Sequence, residues 1–499
     1  MNTGASDLPL PGPFRLPPAN VARHPAVLLA PRELRAWIDG LPLANPPRCA
    51  QMLQQQLRLL VRDPQPGARF GALLELYQRP FDSLLEIVRE RLHSFGDSAG
   101  PLDQLEYQSV ELLSELAFGH LRLANQAIAA GKAPGHADLC RAMRLLDNAL
   151  NIERLHYHRL DPDAWRLVLG IYLHGEHLGL GERNCPGTAT PGEPASLRSL
   201  FFRSLLVSLS DPHHHRPNEV LTWLAWLGDH AGGLRLSLLP EGAYAIPVDV
   251  SATLPPLAGA RRGRPGADTR YLAVDPVLQQ LQTASDAPPG LRQALLDVIK
   301  GRKTPEQRQS ERQPRNQPYR LVHGLRAIHE RLAELIQGRP PAPTRQPPLD
   351  CTLVNHSRTG AALQLHGPVS PPLCVDEPVL AEATMSSAAG APVGFAARIR
   401  RQVSGDRQQI EIGVEKLAGR LLPVRLRGAT AETGRNEPEA LLLQEIDTGR
   451  LTLIAARSRY RDDECVTVEG PNTRYTLRLR SVILAVQNLA YIEVEVVEH

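Results

Sequence analysis

A chain of 499 residues is long enough for about two to four domains, and with 42% apolar residues but only 4% aromatics it must fill its cores with Leu, Val, Ala and Ile. The net charge of +3 is close to neutral for this length, which argues against a general DNA or RNA binder, since such proteins carry a strong basic excess. No run approaches the ~18 apolar residues of a membrane-spanning helix, and the start, Met1 to Pro18, has neither a basic beginning nor the apolar core of a secretory signal, so a soluble, cytoplasmic protein is expected.

The first 30 residues are rich in proline and read as an extended arm. From 31 to 230 the apolar spacing is helical. Phe81, Leu84, Leu85, Val88 and Leu92 form one stripe, with Glu86, Arg89 and Glu90 on the opposite face. Leu139, Ala142, Met143, Leu146, Ala149 and Leu150 form another. Asp161-Pro162 reads as an N-cap with proline at the first helical position, opening a helix through Trp165, Leu169 and Leu173. Further helices are expected at 46–62, 103–131, 195–209 and 217–230. No signature recurs at a fixed period, so an irregular bundle fits better than a repeat array. Trp223 and Trp226, with Leu224 and Leu227, read as helix core.

Residues 231–301 are mixed. Short strands are expected at Leu234–Leu239 and Tyr244–Val248, then a basic Gly/Pro-rich loop at 258–267, then helices at 276–285 and 289–300. After the Pro-rich stretch Arg339 to Pro348 the chain turns β-like to its end. Ile410–Val414, Tyr475–Leu479 and Tyr491–Val497 alternate apolar and polar residues. Pro423 interrupts the apolar piece Leu421–Leu426 and suits an edge strand.

The cysteines Cys49, Cys140, Cys185, Cys351, Cys374 and Cys465 show no Cys-x-x-Cys pair. They read as buried or idle thiols rather than a zinc or redox motif. The histidines His156, His158, His174, His177 and His213–His215 lie in the helical region without a carboxylate spacing that completes a metal site. No metal is expected. There is no Gly-rich phosphate loop, no Gly-x-Ser-x-Gly elbow and no Ser-His-Asp order, so an enzyme is disfavoured.

Two local features do carry chemistry. Between Arg302 and Arg331 lie eight Lys or Arg and three Glu. Arg308 and Arg312 are followed by Pro314 and Pro318, which makes a continuous helix improbable. Guanidinium groups match phosphate oxygens, and also the O6/N7 edge of guanine, with paired donors. Downstream, Asn355-His356-Ser357-Arg358-Thr359-Gly360 sits between the apolar flanks Cys351–Val354 and Ala361–Leu365. Asn supplies amide donors and acceptors in a turn, and Gly permits positive φ or close backbone approach. Taken alone, the first feature can be a solvated basic linker and the second an ordinary β-turn.

Together, an Arg-x-x-x-Arg segment followed by Asn-x-Ser-x-x-Gly resembles the ligand signature of the PilZ domain family. Gln409-Ile-Glu-Ile-Gly-Val-Glu-Lys-Leu also resembles that family's late strand, so the resemblance covers about residues 302–427. The family's motifs usually lie closer together; here 42 residues separate Arg312 from Asn355 and include a helix-like piece, Leu325 to Ile336. The resemblance implies a small β-barrel that binds cyclic di-GMP, with Arg308 and Arg312 on phosphate and guanine edges, Asn355 and Ser357 on a guanine, and Gly360 shaping the turn.

The expected fold class is α+β and multidomain: a Pro-rich arm (1–30), an N-terminal helical bundle (31–230), a mixed connecting region (231–301), a PilZ-like antiparallel β-barrel with an N-terminal Arg arm (302–427) and a C-terminal β extension (428–499), which either extends the barrel or forms a second, motif-free β unit. The expected function is a cyclic di-GMP receptor without a cofactor, whose helical module at 31–230 signals to a protein partner. The alternatives are a non-catalytic adaptor with a degenerate barrel and, more weakly, an enzyme with a site spread over the helices.

Overall fold

Several helices begin in the computed structural model where the sequence supplies a side-chain cap. The structure describes residues 12–64, 67, 69–94, 96, 102–187, 193–252, 266–299, 313–340, 346–384, 394–405, 409–427, 439–461, 463–470, 474–486 and 488–498. Eight α-helices come first: α1 (Pro31–Asp39), α2 (Pro46–Val61), α3 (Phe70–Ser94), α4 (Gln104–Ala129), α5 (His136–Leu155), α6 (Pro162–His177), α7 (Leu197–Leu209) and α8 (Pro217–His230). The side chain of Asn45 caps α2. Asp103 and Glu106 form a reciprocal capping box on α4, with bonds of 2.8 and 2.9 Å. Asp161 caps α6 ahead of Pro162, as expected.

The proline-rich arm is tied to this bundle. Phe14 is buried, its amide donates to Asn125 Oδ1 at 2.8 Å, and Asn125 Nδ2 donates back to its carbonyl at 2.8 Å. Residues 236–299 add β1 (Leu236–Ser237), β2 (Ala245–Asp249) and β3 (Thr269–Ala273) in the order β1-β3-β2, then α9 (Asp275–Thr283) and α10 (Leu291–Ile299). Their apolar residues Ile246, Leu272 and Leu295 belong to the same core as Leu146, Phe201 and Trp223. This region is therefore part of the helical unit's packing. Most of the basic loop at 258–267 lies outside the described residues.

The chain divides into two compact units, the first of residues 1–95 and 101–307, the second essentially residues 308–499. The second unit holds β4 (Gln313–His323), α11 (Leu325–Ile336), β5 (Leu349–His356), β6 (Gly360–Leu365), β7 (Pro378–Ala383), β8 (Gly394–Ser404) and β9 (Ile410–Lys416), then β10 (Gly419–Arg427), β11 (Glu439–Glu445), β12 (Leu451–Ala456), β13 (Cys465–Glu469), β14 (Arg474–Val486) and β15 (Leu489–Glu498). These strands close two antiparallel barrels, β4-β5-β6-β9-β8-β7 and β10-β11-β12-β15-β14-β13. In chain order both run first, second, third, sixth, fifth, fourth, so the topology is the same twice.

Three expectations change here. The stretch after 427 is a second closed barrel, and it takes Gly419–Arg427 as its first strand, a piece the sequence reading gave to the first barrel. Pro423 does not mark an open edge: β10 pairs with β11 from Gly419 to Arg425, and pairing with β13 starts only at Arg425. The proline therefore sits where β10 has one neighbour, which is how a closed barrel tolerates it. The cysteines are not all idle thiols, because Cys140 and Cys185 are joined in a disulfide across 45 residues of sequence.

Alternation explains the packing of the second unit. Leu321, Val379 and Ala381 point into the first barrel, while their neighbours Val322 and Leu380 join an outer cluster with Ala327 and Ile328 of α11. Leu442, Leu453 and Ile492 fill the second barrel, while Leu441, Leu443, Ile454 and Tyr491 join that outer cluster. The helix α11, inserted between β4 and β5, thus shares one core with outward faces of both barrels.

Candidate functional site

The turn at Asn355–Gly360 links β5 to β6 on a rim of the first barrel. Ser357 closes it: its amide donates to the Gly360 carbonyl at 2.8 Å, and its Oγ accepts from the Gly360 amide at 3.1 Å. Gly360 is required by close approach rather than by positive φ, since a Cβ there would stand 2.8 Å from the Val414 carbonyl oxygen on β9. Asn355 lies at a break in strand register on both sides, between Leu353 and Asn355 in the β5–β6 pair and opposite Pro314 where the β4–β5 register shifts. Its Oδ1 is buried and has no hydrogen-bond partner. An unmet buried acceptor is uncommon in a folded protein; a donor-bearing ligand edge would satisfy it.

The distance in sequence between the two motifs disappears in the fold. β4 runs antiparallel to β5 with Gln313 opposite His356 and Pro314 opposite Asn355. The inserted α11 and the proline-rich stretch connect the other ends of these strands, from His323 to Leu349. The described part of β4 thus starts beside the turn, at Gln313. Arg308 and Arg312 themselves lie outside the described residues.

Several residues that sequence reasoning did not single out surround the turn. Lys416, at the end of β9, donates from Nζ to the Ser357 carbonyl at 2.8 Å and from its amide to the Thr359 carbonyl at 2.9 Å. Its ammonium also lies 5.0 Å from the centre of the Phe395 ring, a cation–π distance. Burial lowers its pKa below the ordinary lysine range. Arg315 donates from Nε to His356 Nε2 at 3.1 Å. Desolvation, then the charges of Lys416 and Arg315, hold the His356 pKa below its usual value. Lys416 had a signal, since it ends the Gly-Val-Glu-Lys run on the late strand, and Arg315 stands three residues after Arg312. Phe395 had none, because it begins a strand far away in sequence. Nearby arginines are committed elsewhere: Arg398 pairs with Glu415 at 2.9 Å and Arg400 with Asp376 at 2.8 Å.

The rim therefore offers the cations Arg315, Arg358 and Lys416, an aromatic face and an orphan amide oxygen. That set suits an anionic ligand with planar, hydrogen-bonding rings. Two of the histidines weighed from the sequence have partners within the helical unit. His174 Nε2 contacts the Gly12 carbonyl at 3.0 Å and His156 approaches Glu106 at 3.4 Å. Trp223 and Trp226 are core, as expected. Among the described residues no helix is long and apolar enough to cross a membrane.

Comparison with known proteins bears on the other unit. Residues 32–241 match the family model described as cyclic-di-GMP receptor FimW, N-terminal domain, a match consistent with a cyclic-di-GMP receptor that carries an N-terminal helical domain. No curated protein matches the chain.

Proposed function

We propose that this chain is a cytoplasmic, non-catalytic receptor for cyclic di-GMP, and that the ligand binds on the rim of the first barrel, acting as a PilZ-like domain. The observation that carries the reading is the β4–β5 register, which sets Gln313 and Pro314, the residues that follow Arg312 in sequence, against His356 and Asn355 of the Asn-x-Ser-x-x-Gly turn. The arginines would grip phosphate and guanine edges, each charge-assisted bond contributing about 1.5–3 kcal/mol. Asn355 would take a guanine N–H on its unsatisfied oxygen, and Ser357 and Gly360 would hold the turn that presents it. The family match over the helical region supports the same ligand independently, because it covers none of the barrel.

The helical region at 31–230 is proposed to hold the protein partner that reads ligand occupancy. Calorimetric titration of the full chain with cyclic di-GMP tests the binding. Saturable heat at micromolar ligand is expected. No heat at hundreds of micromolar, from a chain that circular dichroism shows to be folded, would overturn the receptor reading and leave a nucleotide-independent adaptor.

A further inference from the structure

Away from the barrels, the helical unit gathers three metal-ligating side chains. His136 opens α5 and Cys140 follows one turn later on the same face, with His136 Nε2 3.3 Å from Cys140 Sγ. Cys185 arrives from the loop between α6 and α7. The donor atoms of all three lie within 4.8 Å of one another, and among the described residues this is the one such group. The two sulfurs are buried and the imidazole is half-buried, so a route from solvent passes the histidine.

The disulfide is not the only thing holding Cys185 there. Its amide donates to the Ala195 carbonyl at 2.7 Å, Asn184 bridges Ser196 as in a strand pair, and Arg144 of α5 donates to the Pro186 carbonyl at 2.9 Å. The residues on both sides of the cysteine are thus held to α5 and to Ala195–Ser196 by bonds that do not depend on the disulfide.

We propose that His136, Cys140 and Cys185 form a redox-gated site for a thiophilic d10 cation, represented by Zn2+, with the disulfide as its metal-free form. A dithiol reductant supplies two electrons and two protons: the S–S bond breaks, each sulfur becomes a thiol, and the reductant leaves as a disulfide. Zn2+ then displaces both thiol protons and takes a lone pair from neutral imidazole. Two thiolates cancel the dication, so the buried site carries no net charge. Tetrahedral zinc, with Zn–S of about 2.3 Å and Zn–N of about 2.0 Å, needs donors roughly 3.5–3.8 Å apart, a spacing that the two sulfurs can take only once their bond is opened. Three protein ligands leave one position for water.

The full chain, reduced anaerobically with a phosphine and desalted, is titrated with Co2+ as the spectroscopic probe. Thiolate-to-cobalt charge-transfer bands with tetrahedral d–d bands are expected, saturating at one equivalent and bleached by Zn2+. The oxidised chain should show none, a comparison that needs no substitution. Cys140→Ser and Cys185→Ser should each lose the thiolate bands, and His136→Gln should weaken uptake while keeping them. The proposal is overturned if the reduced, folded wild-type chain shows no bands, or if the Cys140→Ser/Cys185→Ser double variant takes up cobalt equally well.

Discussion

The two barrels repeat one topology and differ at one turn. In the first, the start of β4 faces His356, and the β5–β6 turn is Asn355-His-Ser-Arg-Thr-Gly360, ringed by Arg315 and Lys416. In the second, the start of β10 faces Glu445, and the β11–β12 turn is Ile446-Asp-Thr-Gly449. That turn is satisfied from within: Thr448 Oγ1 donates to Glu445 Oε2 at 2.6 Å, and the Gly449 amide donates to the Glu445 carbonyl at 3.0 Å. It presents two carboxylates where the first barrel presents cations, so it would repel a phosphate diester. No basic arm precedes β10 either, since Leu417 and Ala418 join it straight to β9. Barrel closure needs strand pairing and turns; ligand chemistry needs particular side chains on a particular rim.

The part that the barrels share should be the most costly to disturb. Ile328 of α11 is fully buried in the cluster lined by both. Ile328→Ala should destabilise the second unit by about 2–5 kcal/mol through the lost contacts and the cavity left behind. Hydrogen exchange should show protection falling in both barrels together. Loss confined to one barrel would mean that α11 is not a common support.

The next test separates the turns. Arg308→Ala and Arg312→Ala should each weaken cyclic di-GMP binding by roughly an order of magnitude or more, the worth of about 1.5–3 kcal/mol for a charge-assisted bond. Asp447→Ala, on the second barrel, should leave affinity unchanged. Equal affinity in the arginine variants would reject the assigned site while leaving the ligand open.

How much of this was legible beforehand depended on the distance over which residues act. Helices were legible because caps and stripes are local: Asp161-Pro162 and the Leu139–Leu150 stripe need no partner elsewhere. The turn was legible for the same reason. The second barrel was not, because Leu441-Leu442-Leu443 is apolar without alternation. One face of β11 fills its own barrel and the other meets α11 and the first barrel, and such a strand loses the period that identifies it. The gap between the motifs was legible as a length but not as a geometry, since only the β4–β5 pairing reveals that the insertion hangs from the far ends of the strands. The bond between Cys140 and Cys185 spans two helices and leaves no spacing pattern. The orphan oxygen of Asn355 depends on two register breaks that no single strand's sequence encodes.

Smaller effects would refine the rim. Lys416→Gln removes the Nζ bond to the Ser357 carbonyl and the cation over Phe395, but keeps the backbone bond to Thr359. Affinity should fall several-fold, within about 0.5–1.5 kcal/mol, with the melting temperature nearly unchanged. A large drop in melting temperature would instead make Lys416 a support of the β6–β9 pair.

The smallest effect should come from pH. Burial and the flanking charges of Lys416 and Arg315 depress the His356 pKa, so the ring is neutral from about pH 7 to 8 and affinity should be flat there. As pH falls through the depressed pKa, His356 gains a charge beside the cations Lys416 and Arg315. Its own protonation is opposed by them, but a bound phosphate would favour it. By linkage, affinity should then rise toward acid pH, and the rise should vanish in His356→Gln. Calorimetric titration across that range reads both. A rise that persists in the variant would place the titrating group elsewhere, and a fall in affinity on acidification of the wild type would contradict an anion seated beside this histidine.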